Sequence, residues 1–250
     1  MPTGWSYRDN AIKTGKQVIL TGNSSLQPTG AVTLFDDFAG DTINLDLFVA
    51  TSVATDGGTD WAQAVGNNGI AQCVTDNTDL DGEYLSGPLA HELEDASSGL
   101  VIFETRVLMA TDVAAKGFYV GLSDATSDDH SPLHHNGGTL TAVADDAVGF
   151  IYDTDGTGTD QWRLAAVNET VVATAVNSGS VPVAGTYDTL RLEVDIAGNA
   201  AGFVNGGFVG VIADAVDLAV DLCPLINHFS NEAASQTGQA DYIFYAYPRT

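Results

Sequence analysis

The residues best suited to chemistry lie in the polar segment 123–138, which combines three aspartates with three histidines. These six residues are Asp124, Asp128, Asp129, His130, His134 and His135. Imidazole and carboxylate groups are the ligands of zinc and related metals. Adjacent histidines do not easily turn to one ion, and solvated loop side chains are the alternative interpretation. Because ligand loops lie at strand ends, this segment is where we first expect binding, with His130 and His134 as candidate glycan contacts.

A second acidic segment, 153–160, reads Asp-Thr-Asp-Gly-Thr-Gly-Thr-Asp. Alternating carboxylates and a flexible glycine are typical of loops that wrap calcium. An EF-hand also needs a ligand at the fifth position, where Thr157 stands, and a glutamate at the twelfth, where Leu164 stands. The sequence therefore predicts a hairpin with a solvated acidic tip and no cofactor, with calcium binding as the alternative.

Trp61 follows the turn residues 55–60 and is a further candidate glycan contact. An exposed indole ring stacks on sugars, whereas a lone tryptophan beside a turn more often packs at the rim of a domain. Both interpretations remain open from the sequence.

Alternating residues define the strands that must position these loops. In segment 100–109, Val101, Phe103, Thr105 and Val107 share one face, as a half-buried strand requires. Segment 187–211 alternates in the same way and then turns at Asn205-Gly206, the strongest short hairpin signal, so we predict a three-stranded meander packed on a second sheet. Strands are also expected at 118–122, 148–152, 161–167 and 169–176. Segment 213–226 fits helix or strand, and Pro224 is expected to end either.

Three stretches resemble the concanavalin A-like jelly rolls of lectins, laminin-G domains and glucanases. They are the meander, the segment Phe35-Asp36-Asp37-Phe38-Ala39-Gly40-Asp41-Thr42, and the segment Ala240-Asp241-Tyr242-Ile243-Phe244-Tyr245-Ala246-Tyr247. The resemblance spans roughly residues 33 to 247 and implies an all-β, two-sheet antiparallel jelly-roll sandwich. With its polar N-terminal segment, the chain looks most like the members found in capsid decoration or fibre proteins of tailed phages.

Glucanase-like members of this fold carry Glu-x-Asp-x-x-Glu on one strand, which sets two carboxylates on one face. Here Glu193 and Asp195 supply the first two acids, but Gly198 stands where the last glutamate is needed. The sequence also contains no Gly-x-Ser-x-Gly elbow and no phosphate loop. We therefore predict that the protein is not an enzyme.

Charge and composition exclude several classes of partner. Thirty-three acidic residues against 8 basic ones give a formal net charge of -25, which disfavours nucleic acid and anionic membranes. The start of the chain contains neither a secretory signal nor an apolar membrane-spanning segment, so folding in a cytoplasm is expected. Cys73 and Cys223 lie in apolar surroundings and are predicted to be buried free thiols.

Residues 1–30 are predicted to form an extended arm before a jelly-roll domain at 31–250. The arm holds three of the eight basic residues and only short apolar groups, among them Val18, Ile19 and Leu20. It is either a flexible terminus or a docking strand, and Trp5 and Tyr7 favour docking because aromatic side chains gain contact area at an interface.

The predicted function is that of a non-enzymatic virion structural protein, a phage capsid decoration (cement) or head-fibre subunit. Its arm would dock on the major capsid protein or another virion protein, and the resemblance implies a homo-oligomer, with a trimer favoured. The expected location is the virion, and the host cytoplasm during assembly. The alternative is a carbohydrate-binding, lectin-like domain that uses the loops around Trp61 and residues 123–138.

Overall fold

A computed structural model describes residues 18–21, 31–40, 42–53, 58–64, 69–76, 78–79, 81–88, 92–93, 100–127, 130–232 and 235–248. For residues 18–21, 31–32 and 53 only the backbone is described. Within these ranges the regular elements are β-strands, and no helix is long and apolar enough to cross a membrane.

The strands, in chain order, are β1 (Val18–Thr21), β2 (Ala31–Asp36), β3 (Val49–Val53), β4 (Thr59–Gln63), β5 (Ala71–Val74), β6 (Gly82–Ser86), β7 (Leu100–Met109), β8 (Lys116–Ser123), β9 (Leu133–Asn136), β10 (Thr139–Ala142), β11 (Ala147–Asp153), β12 (Arg163–Asn168), β13 (Val171–Val172), β14 (Val176–Asn177), β15 (Asp188–Asp195), β16 (Ala200–Val204), β17 (Gly207–Ile212), β18 (Cys223–Ser230) and β19 (Thr237–Pro248).

Two large antiparallel sheets form a sandwich, which confirms the predicted fold class. The nine-stranded sheet has the order β1-β2-β19-β7-β15-β16-β17, with β5 beside β19 and β4 beside β5. The eight-stranded sheet has the order β13-β12-β11-β8-β18-β6-β3, with β14 beside β12. Strands β9 and β10 form a separate hairpin.

The alternation in the sequence correctly identified the residues that line the space between the sheets. Val101, Phe103 and Val107 of β7 are buried and belong to the main core cluster. The predicted meander is β15, β16 and β17, and its second turn holds Asn205 at φ 52° and Gly206 at φ 77°. Both angles lie in the left-handed region that a tight type I′ hairpin turn requires.

Two predicted elements differ from the structure. Pro224 does not end an element but is the second residue of β18, where it lies opposite Leu122. A missing N–H is tolerated near the start of a strand, and the carbonyl of Pro224 still accepts a hydrogen bond from the Gly87 N–H at 2.8 Å. The single strand expected at 169–176 is two short strands, β13 and β14, which both pair with β12.

The central strands of the eight-stranded sheet are buried on both faces. Every residue of β6, β8, β11 and β18 is buried. One face meets the nine-stranded sheet, and the other, which we call the outer face, packs beneath the β9–β10 hairpin in a second apolar cluster that includes Tyr119, Leu133 and Ile151. A sheet covered on both sides gives near-continuous apolar strands rather than alternating ones.

Glu83 of β6 carries a carboxyl group that is fully buried on the inner face. Its Oε1 accepts a hydrogen bond from the Ser52 hydroxyl at 3.3 Å, and its carbonyl accepts one from the Trp61 indole N–H at 2.8 Å. Burial first, and then the nearby carboxylates of Asp60 and Asp81, raise the pKa of Glu83 to about 8.

We predict that Glu83→Gln makes the protein relatively more stable as pH rises. A raised folded-state pKa contributes stability that is present below the usual glutamate pKa and is lost as pH rises through about 8. Urea titrations at pH 5 and pH 8 should show the difference between variant and wild type growing by on the order of 2 kcal/mol in favour of the variant. Asp46→Asn, at an exposed carboxylate, is the control and should show no such growth. A constant difference would show that Glu83 does not titrate in this range.

Candidate functional site

The histidine segment folds into the β9–β10 hairpin because Gly137 and Gly138 take φ of 56° and 86° at its turn. The register places His134 opposite Thr141 and His135 opposite Leu140. Leu133 on the same strand is fully buried against the outer face of the eight-stranded sheet. The hairpin therefore fixes the histidines at the edge of a packed apolar cluster rather than on a free loop.

His134 and His130 contact each other, and neither forms an ion pair with a carboxylate of the described residues. The rings lie edge to face with centroids 5.5 Å apart. His134 places Nε2 3.2 Å from the Thr141 hydroxyl and Nδ1 3.4 Å from the Ser131 carbonyl oxygen. Burial lowers the pKa of His134, and the neighbouring His130 adds to this effect, so the ring is neutral near pH 7. His130 stays half-exposed, and its carbonyl accepts the Tyr84 hydroxyl.

Asp153, at the end of β11, is the polar centre of the site. Its Oδ2 accepts the His135 backbone N–H at 2.5 Å and lies 3.4 Å from the His135 Nδ1. Its Oδ1 accepts the Asp155 N–H at 2.9 Å and the Asn231 side-chain amide at 2.7 Å. A buried carboxylate is stabilised by such donors, so Asp153 ties the hairpin, the acidic tip and the end of β18 together.

The two segments singled out in the sequence meet in space. Gly138 of the hairpin turn forms a bridge with Gly156 of the acidic tip. Arg163 is buried behind this tip, and its Nη2 donates to the carbonyls of Thr157 and Thr159 at 3.1 and 3.0 Å. A Cβ on Gly156 would lie 2.5 Å from the Arg163 Nη1, so a larger residue at this position would displace the guanidinium.

The bonding of these groups determines their chemistry. Both oxygens of Asp153 already accept hydrogen bonds, and the tip carbonyls face a guanidinium. Across the part of the chain that the structure describes, no three His, Cys, Asp or Glu side chains are grouped to hold a metal ion. Burial, followed by the charge of Asp153, raises the pKa of Asp155. The arrangement stabilises a rigid loop pair that presents His130 and Asp155 at its surface.

The other predicted contact residues lie elsewhere. Trp61 is 3% exposed in the main core, which corresponds to the packing interpretation rather than to an exposed sugar platform. The backbone of Val18, Ile19 and Leu20 belongs to β1, which pairs antiparallel with β2 at the edge of the nine-stranded sheet. Trp5 and Tyr7 lie outside the described residues, as does Asp128 together with Asp129.

The acids of the incomplete glucanase-like motif have structural partners. Glu193 accepts a hydrogen bond from the Arg191 Nε at 2.7 Å on the outer side of the nine-stranded sheet. Asp195 accepts bonds from Asn199 and from the Ala197 N–H, and these bonds, the Asn199 side chain above all, lower the pKa of Asp195. Both carboxylates lie on the outward side of the nine-stranded sheet, away from the eight-stranded sheet.

No protein-family model matches the chain, and no curated protein matches its sequence. Several solved structures are similar in fold. Peanut lectin matches with a TM-score of 0.57 at 12% identity, covering 86% of this chain and 97% of its own. The β-glucanase of Bacillus licheniformis matches with a TM-score of 0.54 at 12% identity, covering 88% and 99%. A protein of unknown function from Shewanella oneidensis matches with a TM-score of 0.56 at 9% identity, covering 98% and 95%.

The fold is concanavalin A-like. These similar structures include a lectin and a glucanase, so the concanavalin A-like fold by itself does not decide whether the chain is an enzyme. At these identities the likeness concerns the arrangement of strands, and function must be argued from the side chains.

Sequence reasoning missed two residues that build the site within this concanavalin A-like sandwich, Arg163 and Asn231. Arg163 occupies an otherwise apolar strand, and a lone charge at a buried strand position signals a structural partner. Asn231 follows the last residue of β18, and nothing local distinguishes it from a solvated loop residue.

We predict that Asp153→Ala loosens the hairpin and the acidic tip together, because three donors lose their shared acceptor. The free energy of unfolding should fall by about 1–3 kcal/mol. Amide hydrogen exchange at residues 133–138 and 154–160 should quicken more than exchange in β7. Asp160→Asn in the same tip is the matched control and should leave both measurements near wild type. Equal acceleration in β7 would contradict a local role for Asp153.

Proposed function

We propose that the protein is a non-enzymatic virion structural protein, a capsid decoration or head-fibre subunit that docks through its N-terminal segment. The main support is the filled outer face of the eight-stranded sheet. Ligands and substrates bind in concave, accessible surfaces, whereas here the β9–β10 hairpin packs directly on that face. A sandwich of this kind is suited to presenting a rigid surface.

The polar groups near the outer face support a structural role. Asp153 accepts hydrogen bonds from the backbone N–H groups of His135 and Asp155. Arg163 donates to the carbonyls of the acidic tip, so both groups bond within the protein. Retaining and inverting glycosidases need two carboxyl groups flanking an accessible bond. The two acids of the incomplete glucanase-like motif instead have structural partners, Arg191 for Glu193 and Asn199 for Asp195.

The position of β1 supports docking through the residues before it. β1 is the terminal strand of the nine-stranded sheet, and segment 1–17 directly precedes this edge strand in the sequence. That segment holds Arg8, Lys13 and Lys16, three of the eight basic residues of a strongly acidic chain. A basic tether on an acidic body favours an acidic docking surface and orients the body away from it.

The first test is quantitative mass spectrometry of gradient-purified particles from the source. We expect the chain in a fixed ratio to the major shell protein, high for a decoration protein and a few copies for a fibre. Absence of the chain from purified particles would overturn the proposal.

Two truncations test the docking segment. Deletion of residues 1–17 keeps β1 paired with β2, so the variant should retain its melting temperature. It should no longer bind to particles from which the native protein has been removed. Deletion of residues 1–30 removes β1 as well and should also lower the melting temperature, because an edge strand is lost. Normal decoration by the shorter deletion would show that docking lies elsewhere.

A second candidate function is carbohydrate binding at the junction of segments 130–138 and 153–160. The bridge between Gly138 and Gly156 brings two polar loops to one place, and similar folds include peanut lectin. His130 is the half-exposed ring there, whereas His134 and Trp61 are buried. A glycan array with and without calcium should show binding that His130→Ala reduces about tenfold. An array without signal under both conditions would exclude this candidate.

A further inference from the structure

The outer side of the nine-stranded sheet is partly exposed, whereas the outer face of the eight-stranded sheet is covered by the β9–β10 hairpin. Along β7 and β15 the outward residues are partly exposed, while the inward ones are buried. Among the described residues no hairpin covers this side. At the end strand β17, Phe208 and Val211 are 62% and 53% exposed. Large apolar side chains that are exposed together on one side of a sheet are typical of an interaction surface.

Six outward residues on neighbouring strands form one line, which we call the cross-strand row. Each is the register partner of the next, in the order Phe35, Phe244, Glu104, Arg191, Phe203 and Phe208. The row therefore carries two aromatic side chains, an acid, a base and two further aromatic side chains.

The centre of the row is a fixed ion-pair network. The Arg191 Nη1 lies 3.3 Å from the Glu104 Oε2, and its Nε lies 2.7 Å from the Glu193 Oε1. Tyr242 donates its hydroxyl to the Glu104 Oε1 at 2.7 Å. At one end Phe203 and Phe208 contact each other with ring centroids 5.5 Å apart. These contacts hold the charged and aromatic groups in place before any partner arrives.

We propose that the cross-strand row is the contact between two copies of this chain, packed face to face about a two-fold axis. The axis lies in the plane of the face, parallel to the strands and between β7 and β15. Rotation about this axis reverses the order of the row in the second copy. Glu104 of one copy therefore faces Arg191 of the other, and aromatic side chains face aromatic side chains. An isologous interface requires this self-complementary order.

Charge favours a second copy over other partners. The described part of the chain contains four basic side chains, of which Lys116 and Arg163 are buried. The other two, Arg106 and Arg191, both lie on this side of the nine-stranded sheet, each paired with an acid. Elsewhere two copies of a protein of charge -25 repel each other, whereas at the centre of the row Glu104 and Arg191 each meet the opposite charge.

The face is large enough for a weak but specific contact. Six strands spaced about 4.8 Å apart give a width of about 24 Å. With roughly 20 Å along the strands, the pair would bury on the order of 1,000 Å², near the lower limit for specific interfaces. The inference concerns self-association and does not depend on docking to particles.

Sedimentation equilibrium of the full chain at micromolar concentrations tests the proposal. We expect a species of twice 26.0 kDa. Phe208→Ser should raise the dimer dissociation constant about tenfold or more. Val171→Ser, a matched change at a side chain that is 70% exposed on the other sheet, should not alter it. A monomer at every concentration, or a trimer, would overturn the two-fold contact.

Charge reversal distinguishes a contact between copies from a loss of folding. Arg191→Glu and Glu104→Arg each place like charges opposite each other in a two-fold pair, so each variant alone should be a monomer with a native circular dichroism spectrum. Mixing the two variants restores opposite charges at both positions and should produce a heterodimer. A mixture of folded variants that stays monomeric would exclude the proposed pairing.

Discussion

The eight-stranded sheet must satisfy packing on two sides at once, and much of the molecule follows from this constraint. Close approach on its outer face depends on residues without a side chain. Gly117 lies beneath the Phe229 ring, where a Cβ would come within 1.9 Å of the ring carbon Cζ, and Gly121 lies opposite Gly149. The β9–β10 hairpin closes that face with Leu133 and the apolar residues around it. Burying such a surface contributes about 25 cal/mol per Å² of apolar area, so the hairpin is part of the core rather than an appended loop.

Charged groups that are drawn into this packed region need partners. A buried charge without partners costs several kcal/mol, so each one present needs donors or acceptors at fixed distances. Asp153 obtains them from three separate segments, and Arg163 from the carbonyls of the tip that it supports. His228, on the inner face, avoids a charge instead. It stacks on Phe118 at 4.5 Å and donates from Nδ1 to the Gly117 carbonyl, while burial, with the charge of Lys116, lowers its pKa to about 3. Asp153, Arg163 and His228 have side chains of the types found in active sites, but here their contacts stabilise the fold.

The sequence predicted best where one face of a strand meets solvent. Alternation in β7 and β15 gave the inward residues, and Asn205-Gly206 gave the hairpin, because both signals are local. It predicted less well where both faces are buried. Strand β18 lacks alternation, so Pro224 was read as an end although it lies inside the strand. For the candidate site the sequence identified the histidines and aspartates by type. It could not show that Asp153 binds the His135 backbone, since that contact depends on the register between distant strands.

The two sheets therefore divide the roles of the molecule. A strongly acidic chain gains solubility from its charge but loses the ability to associate wherever that charge is unopposed. In the eight-stranded sheet, Asp153 and Arg163 form hydrogen bonds within the protein. The nine-stranded sheet keeps Glu104, Arg191 and Glu193 on its outward side, where one base pairs with two acids without being buried. Ion pairs of this exposure contribute little to folding stability, about 0–1 kcal/mol, so stability alone does not account for placing them between two aromatic pairs. The proposed contact between two copies would account for the arrangement, because a fixed order of charges specifies which surface can lie opposite and in which orientation.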